Sequence, residues 1–132
     1  MKIEEQVLSI EQMKHLQELG VDTSDASMCW LDFGDNEPME VAVFVPQIML
    51  GYATCKIYPT YTIGDLIEKL PKSIDLGFGE YDLEMSTKGE YVEVQYENDY
   101  DDYTPFFCSN LSLIESLYSI LCWLAKTHKK LL

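Results

Sequence analysis

Two alternating segments, Tyr81–Ser86 and Tyr91–Tyr96, limit the possible folds more than any other part of the chain. In both segments apolar side chains recur at every second position and polar side chains lie between them. A period of two places alternate side chains on opposite faces of a strand. The connection Thr87-Lys88-Gly89 is short and contains glycine, which is typical of a β-hairpin. The chain is therefore predicted to contain an antiparallel sheet with one buried face and one wet face.

Three other patterns predict α-helices. Ser9-Ile-Glu-Gln12 is a capping box that precedes a helix over residues 10–19. Thr62 caps a second helix, whose apolar stripe ends before Pro71. The last helix, over Leu111–Thr127, is apolar nearly all round. Such a helix is either central to a core or half of an oligomer interface, so a homodimer through it is one expectation.

The remaining strand-like segments lie between the first two helices. Met28–Phe33 and Met39–Val45 flank the turn-forming residues Gly34–Pro38, which predicts a second hairpin, and a third strand is expected around Tyr52–Tyr58. The order α-β-β-β-α-β-β-α lacks the regular alternation of a parallel sheet. We predict a single α+β domain over residues 1–132, with an antiparallel sheet of four to five strands and about three helices mainly on one face.

The charge of the chain restricts its partners. It contains 23 acidic residues against nine basic ones, all lysines, for a net charge of -14. Contacts to phosphate are made by Lys and Arg, so nucleic acid and anionic membranes are not expected to bind directly. Another protein is the expected partner, because an acidic surface can steer a basic one.

The cysteines and the N-terminal residues point to the cytoplasm. The four cysteines are scattered without a CxxC motif, which is typical of free thiols in a reducing compartment. Met1-Lys-Ile-Glu-Glu does not have the pattern of a secretory signal. The apolar C-terminal run is interrupted by Glu115, Ser116 and Ser119, so no membrane span is expected.

The stretch from Glu80 to Tyr103 combines nine carboxylates and five tyrosines with one lysine, Lys88. Three interpretations remain open: a wet hairpin face with an acidic loop, a protein-docking surface, and a mimic of a nucleic-acid backbone. For docking, tyrosine offers amphipathic contact area and the carboxylates offer attraction to a basic partner. The candidate partner-binding residues are Tyr81, Tyr91, Asp99, Tyr100, Asp101, Asp102 and Tyr103.

The sequence contains no recognisable catalytic or metal-binding motif, so no catalytic residue, cofactor or metal is expected. His15 and His128 have no serine or cysteine neighbour that suggests an activated nucleophile. A calcium loop starting at Asp99 would need glycine in place of Thr104 and glutamate in place of Asn110. The chain has neither a GxxxxGK[ST] loop nor an arginine to clamp a phosphoryl group. A non-enzymatic protein is the leading expectation, and a small enzyme with an unrecognised site is an alternative.

A set of short segments carries a resemblance to known proteins: Leu8–Met13 through Leu19-Gly20, Asp22, Ser24, Ala26–Trp30, Tyr61-Thr62 with Asp65, Leu70–Lys72 and Leu121–Trp123. These segments resemble a family of small uncharacterised proteins found on phages and other mobile elements of gut anaerobes. These positions are caps, core residues and helix ends, so the resemblance implies a fold rather than a site. It also implies an intracellular setting and an accessory role in such an element or its host, which favours protein binding, including inhibition.

Overall fold

The computed structural model describes residues 2–34, 36–45 and 55–132 and confirms the α+β class, with three helices and antiparallel sheets. Its elements are α1 (Ile10–Glu18), β1 (Met28–Asp32), β2 (Glu40–Val43), β3 (Lys56–Thr60), α2 (Ile63–Lys69), β4 (Ser73–Asp75), β5 (Glu80–Lys88), β6 (Tyr91–Glu97), β7 (Phe106–Asn110) and α3 (Leu113–Thr127). The strands form two sheets, ordered β2-β1-β3 and β4-β5-β6-β7, rather than one. The chain divides into two compact units, Met1–Asp65 and Leu66–Leu132, and the single domain stays a prediction.

The first unit contains the predicted hairpin of β1 and β2, and β3 pairs with the other side of β1. The capping box of α1 is confirmed: the Ser9 hydroxyl accepts from the Gln12 amide at 3.1 Å, and the Gln12 side chain accepts from the Ser9 amide at 2.9 Å. The third strand begins at Lys56, and the part predicted before residue 55 lies outside the described residues.

Buried hydrogen bonds hold the elements of the first unit together. The carbonyl oxygen of Leu8 accepts from the Trp30 indole at 2.9 Å and from the Thr60 hydroxyl at 2.7 Å. The Tyr61 hydroxyl lies 2.8 Å from the Asp22 carbonyl oxygen and 2.6 Å from the Asp25 carboxylate, and these two acceptors share its single proton. Burial, and then the bond to Asp25, raise the pKa of Tyr61 far above its usual value, so this phenol stays a donor.

The second unit is built on the predicted hairpin of β5 and β6. The turn differs from the prediction: Lys88 pairs with Tyr91, so the connection is Gly89-Glu90 rather than Thr87-Lys88-Gly89. Gly89 has a φ of +64°, which glycine adopts without steric cost. Two strands that the sequence did not predict, β4 and β7, extend the sheet on its two sides.

Helix α3 packs on strands β6 and β7 and forms the centre of the second unit. Its buried side chains include Ile114, Leu117, Ile120, Leu121 and Leu124. The apolar side chains of this helix are thus largely buried within the chain itself. The homodimer through α3 stays a prediction. No helix in the described ranges is long and apolar enough to cross a membrane.

Candidate functional site

Four carboxylates share one exposed side of the β5–β6 hairpin. Glu80, Asp82 and Glu84 alternate along β5 and are exposed, and the register places Glu97 directly opposite Asp82. We name Glu80, Asp82, Glu84 and Glu97 the acidic face. Side chains two residues apart on a strand are separated by roughly 6.6 Å. Like charges directly opposite each other destabilise a sheet, so this arrangement has an electrostatic cost when nothing neutralises it.

The acidic face forms one wall of a groove of about 320 Å³. Asn98, Asp99 and Tyr100 complete its lining. The lining therefore consists of five carboxylates, one amide and one phenol, and contains no imidazole, thiol or amine. Such a groove can accept hydrogen bonds from ammonium or guanidinium groups.

The segment Asn98–Tyr103, which we name the tyrosine loop, is folded by its own side chains. The Asn98 amide oxygen accepts from the backbone amides of Tyr100 and Asp101, each at 3.1 Å, and its nitrogen donates to the Glu80 carbonyl at 3.0 Å. The Asp101 carboxylate accepts from the Tyr103 amide at 2.9 Å. These local bonds fix the loop against the start of β5 and leave Tyr100 95% exposed.

An aromatic cluster packs against the end of the tyrosine loop. The rings of Phe78, Tyr81 and Tyr103 meet edge to face, with centroid separations of 5.7–6.2 Å. The Tyr81 hydroxyl donates to the Asp101 carboxylate at 3.2 Å, and burial, followed by this bond, raises the Tyr81 pKa. A Cβ on Gly79 would lie 2.8 Å from the Tyr81 hydroxyl, so glycine is needed there for a close approach.

The structure brings together only part of the predicted partner-binding set. Asp99, Tyr100, Asp101, Asp102 and Tyr103 lie together and exposed in the tyrosine loop.

The other two members of that set lie elsewhere. Placing Tyr81 at the contact surface was wrong, because its side chain is 0% exposed and supports the loop instead. Tyr91 is exposed but lies six residues before Glu97 on β6, at the far end of the hairpin. That separation is roughly 20 Å along an extended strand.

Phe78 and Glu97 also belong to this surface, although neither was predicted to. Phe78 is 70% exposed and contacts Tyr103. Its position between Gly77 and Gly79 indicated only a loop. Glu97 joins the acidic face through the strand register, and its signal was the alternation of Glu93, Gln95 and Glu97 on β6.

The histidines and cysteines lie outside this surface. His15 Nδ1 is 3.9 Å from the Glu18 carboxylate in the first unit, and the His128 ring packs on Trp123 in the second, with centroids 5.1 Å apart. All four cysteines are thiols rather than disulfides, as predicted. Burial raises the pKa of Cys29 and of Cys122, which lowers the fraction present as reactive thiolate. Among the residues that the structure describes, no group of three His, Cys, Asp or Glu side chains is arranged to hold a metal ion.

A second cavity, of about 520 Å³, has the opposite electrostatic character. It is lined by the end of β4 and by the C-terminal residues, with Lys126, Lys129, Lys130 and His128 against Asp75. The second unit therefore carries a cationic hollow in addition to the acidic groove.

Replacing Asn98 with alanine is expected to loosen the tyrosine loop. The change removes the acceptor for two backbone amides and the donor to Glu80, at a cost of about 1–2 kcal/mol in stability. Amide hydrogen exchange at Tyr100 and Asp101 should accelerate at least tenfold. Asp99→Ala is the matched control, because Asp99 is an exposed neighbour in the same loop. Equal exchange rates in both variants would show that Asn98 does not hold the loop.

Comparison of the chain with protein-family models, with curated proteins and with solved structures finds no match. The resemblance to small proteins of mobile elements stays a prediction.

Proposed function

We propose that this chain is a non-enzymatic, cytoplasmic accessory protein that binds a basic segment of another protein through the acidic face and the tyrosine loop. The observation that carries the proposal is the placement of Asp82 opposite Glu97 beside Glu80 and Glu84. Four carboxylates held on one side favour the approach of lysine or arginine side chains, which would relieve their mutual repulsion.

The tyrosine loop supplies the second part of the proposed contact. Tyr100 and Tyr103 are 95% and 53% exposed, and a phenol ring combines apolar area with a hydrogen-bonding group. Because Asn98 and Asp101 already fix the backbone of the loop, little conformational entropy would be lost when a partner binds. A non-enzymatic role fits the groove, whose lining accepts hydrogen bonds but contains no imidazole or thiol.

Mimicry of a nucleic-acid backbone is the second candidate, and the row Glu80, Asp82 and Glu84 favours it. These carboxylates recur every second residue on one exposed side of β5, a spacing of roughly 6.6 Å that is close to the spacing of phosphates along a strand. A mimic would occupy a site that evolved for phosphate contacts on a nucleic-acid-binding protein. Duplex DNA would then release the captured partner, because DNA and the acidic row would compete for one site.

Neutralising the acidic face is expected to weaken partner binding about 10- to 100-fold. The variant is Glu80→Gln/Asp82→Asn/Glu97→Gln, which keeps the side-chain shapes and removes three charges. Its matched control, Glu11→Gln/Glu37→Gln/Glu68→Gln, removes three exposed charges at other places.

Affinity capture from the native host with mass spectrometry identifies the partner, and titration calorimetry at several salt concentrations measures its binding. The first variant should lose both affinity and salt dependence, and the control should keep them. Recovery of the same partners with equal affinity by both variants would contradict the proposed surface.

A further inference from the structure

One side of β5 has no strand beside it over half of its length. Strand β4 pairs with β5 only from Glu80 to Asp82, and the last bond on that side runs from the Leu83 amide to the Lys72 carbonyl at 2.9 Å. Helix α2 ends at Lys69, so the chain before Lys72 is not a strand that could continue this ladder. Residues 84–88 are exposed, and in the described ranges no strand pairs with them on this side.

The direction of the unpaired backbone groups follows from the bonds already made. Leu83 donates toward β4, and alternate residues of a strand point their N–H and C=O groups to the same side. Met85 and Thr87 therefore direct their backbone groups to the open side of β5. Glu84, Ser86 and Lys88 direct theirs toward β6, with which they pair.

We propose that this open edge pairs with the same edge of a second copy of the chain, antiparallel and centred on Ser86. In that register Met85 lies opposite Thr87 of the other copy, and Thr87 lies opposite its Met85. Both residues direct their backbone N–H and C=O groups to the open side of β5. Each pair therefore exchanges two backbone hydrogen bonds, which completes the ladder. The contact is isologous, as a twofold dimer requires.

The same register makes the side chains complementary. Glu84 lies opposite Lys88 of the other copy, and the twofold axis repeats this pair, so two ion pairs flank Ser86. Lys88 is the only cation between Glu80 and Tyr103, and this register places it opposite a carboxylate. Met85, 43% exposed, contacts the Thr87 methyl group of the other copy on the opposite side of the sheet. Opposite charges and apolar pairs directly across two strands stabilise their pairing.

The net charge of -14 opposes association of two copies over long distances. At physiological ionic strength the Debye length is about 8 Å, so the contacting residues dominate once the hairpins meet. An interface of five residues on each side is small, and we expect a dissociation constant of about 10–500 μM. The pairing does not depend on the proposed binding of a basic partner.

The test is sedimentation equilibrium of the full chain from about 10 μM to 1 mM, with charge-reversed variants. Glu84→Lys and Lys88→Glu each place like charges opposite one another twice, and each should weaken the dimer at least about tenfold. The exchange Glu84→Lys/Lys88→Glu restores both pairs and should return the dissociation constant to within about threefold of the original. Glu97→Lys is the control. It makes the same charge change as Glu84→Lys, but Glu97 lies on β6, away from the open edge.

The Glu84→Lys variant decides the question, because net charge and local pairing predict opposite results. Reducing the negative charge of the chain would by itself strengthen association, whereas the proposed register requires Glu84→Lys to weaken it. A monomer at every concentration would overturn the proposal. So would a dimer that Glu84→Lys leaves unchanged, which would direct attention to another surface such as α3. Failure of the exchanged pair to restore association would also overturn it.

Discussion

Replacing Tyr96 with alanine is expected to lower the free energy of unfolding by about 3–5 kcal/mol. Tyr96 is 0% exposed, and its ring centroid lies 6.2 Å from that of Trp123 on α3. Its hydroxyl donates to the Pro71 carbonyl at 2.6 Å. Alanine would leave a cavity between β6 and α3 and would remove the donor that ties β6 to the segment before β4. The loss is close to the whole stability of many small proteins.

Two controls separate the causes of this loss. Tyr96→Phe keeps the ring and removes only the hydroxyl, so it should cost about 1 kcal/mol. Tyr91→Ala deletes a ring of the same size from the same strand, but Tyr91 is 51% exposed and its loss should cost less than about 1 kcal/mol. Denaturant unfolding followed by circular dichroism measures all three. Comparable losses for Tyr96→Ala and Tyr91→Ala would contradict the central place of Tyr96 in the second unit.

The hairpin of β5 and β6 could be predicted because its alternation is strict, whereas β7 could not. The side chains of Phe106 and Phe107 lie on opposite faces of β7, and Phe107 is 52% exposed. Because an exposed phenylalanine stands beside a half-buried one, the sequence does not show the alternation of apolar and polar residues that indicates a strand. Strand β4 has three residues, which is too short for any pattern to be visible.

The acidic face could be predicted only in part, because it depends on the register of the hairpin. A three-residue turn at 87–89 would pair Ser86 with Glu90 and would place Asp82 opposite Val94. The observed turn at Gly89-Glu90 places Asp82 opposite Glu97 instead. The observed turn is one residue shorter and begins two residues later, so the register differs by three residues. An odd shift moves the partner strand's side chains to the other face, and local composition does not decide it.

Tyr81 shows how two sequence signals can disagree. Its position between Glu80 and Asp82 in the alternating strand predicted burial, while its presence among many carboxylates and tyrosines suggested a contact surface. The structure follows the alternation, because one face of the strand must be covered for the sheet to be stable. Composition identified the acidic region, and periodicity identified which of its side chains reach solvent.

Raising the pH above about 10 is expected to destabilise both units, because Tyr61 and Tyr96 are buried and keep their protons when folded. Burial is the main cause that raises both pKa values well above the ordinary value of 10.0. An unfolded tyrosine ionises near pH 10, so above that pH the folded state binds more protons than the unfolded state. The protonated tyrosines therefore make their full contribution to stability below about pH 10. Above that pH the free energy of unfolding falls by about 1.4 kcal/mol per pH unit for each buried tyrosine.

The alkaline loss can be assigned to individual residues by removing each phenol in turn. Tyr61→Phe and Tyr96→Phe should each remove the part of the pH dependence that its own phenol contributes, and the double variant should remove both parts. Phenolate absorbance provides a second measurement, since Tyr61 and Tyr96 should ionise only when the protein unfolds. If unfolding free energies measured in urea did not change between about pH 9.5 and 11.5, the buried tyrosines would not govern alkaline stability.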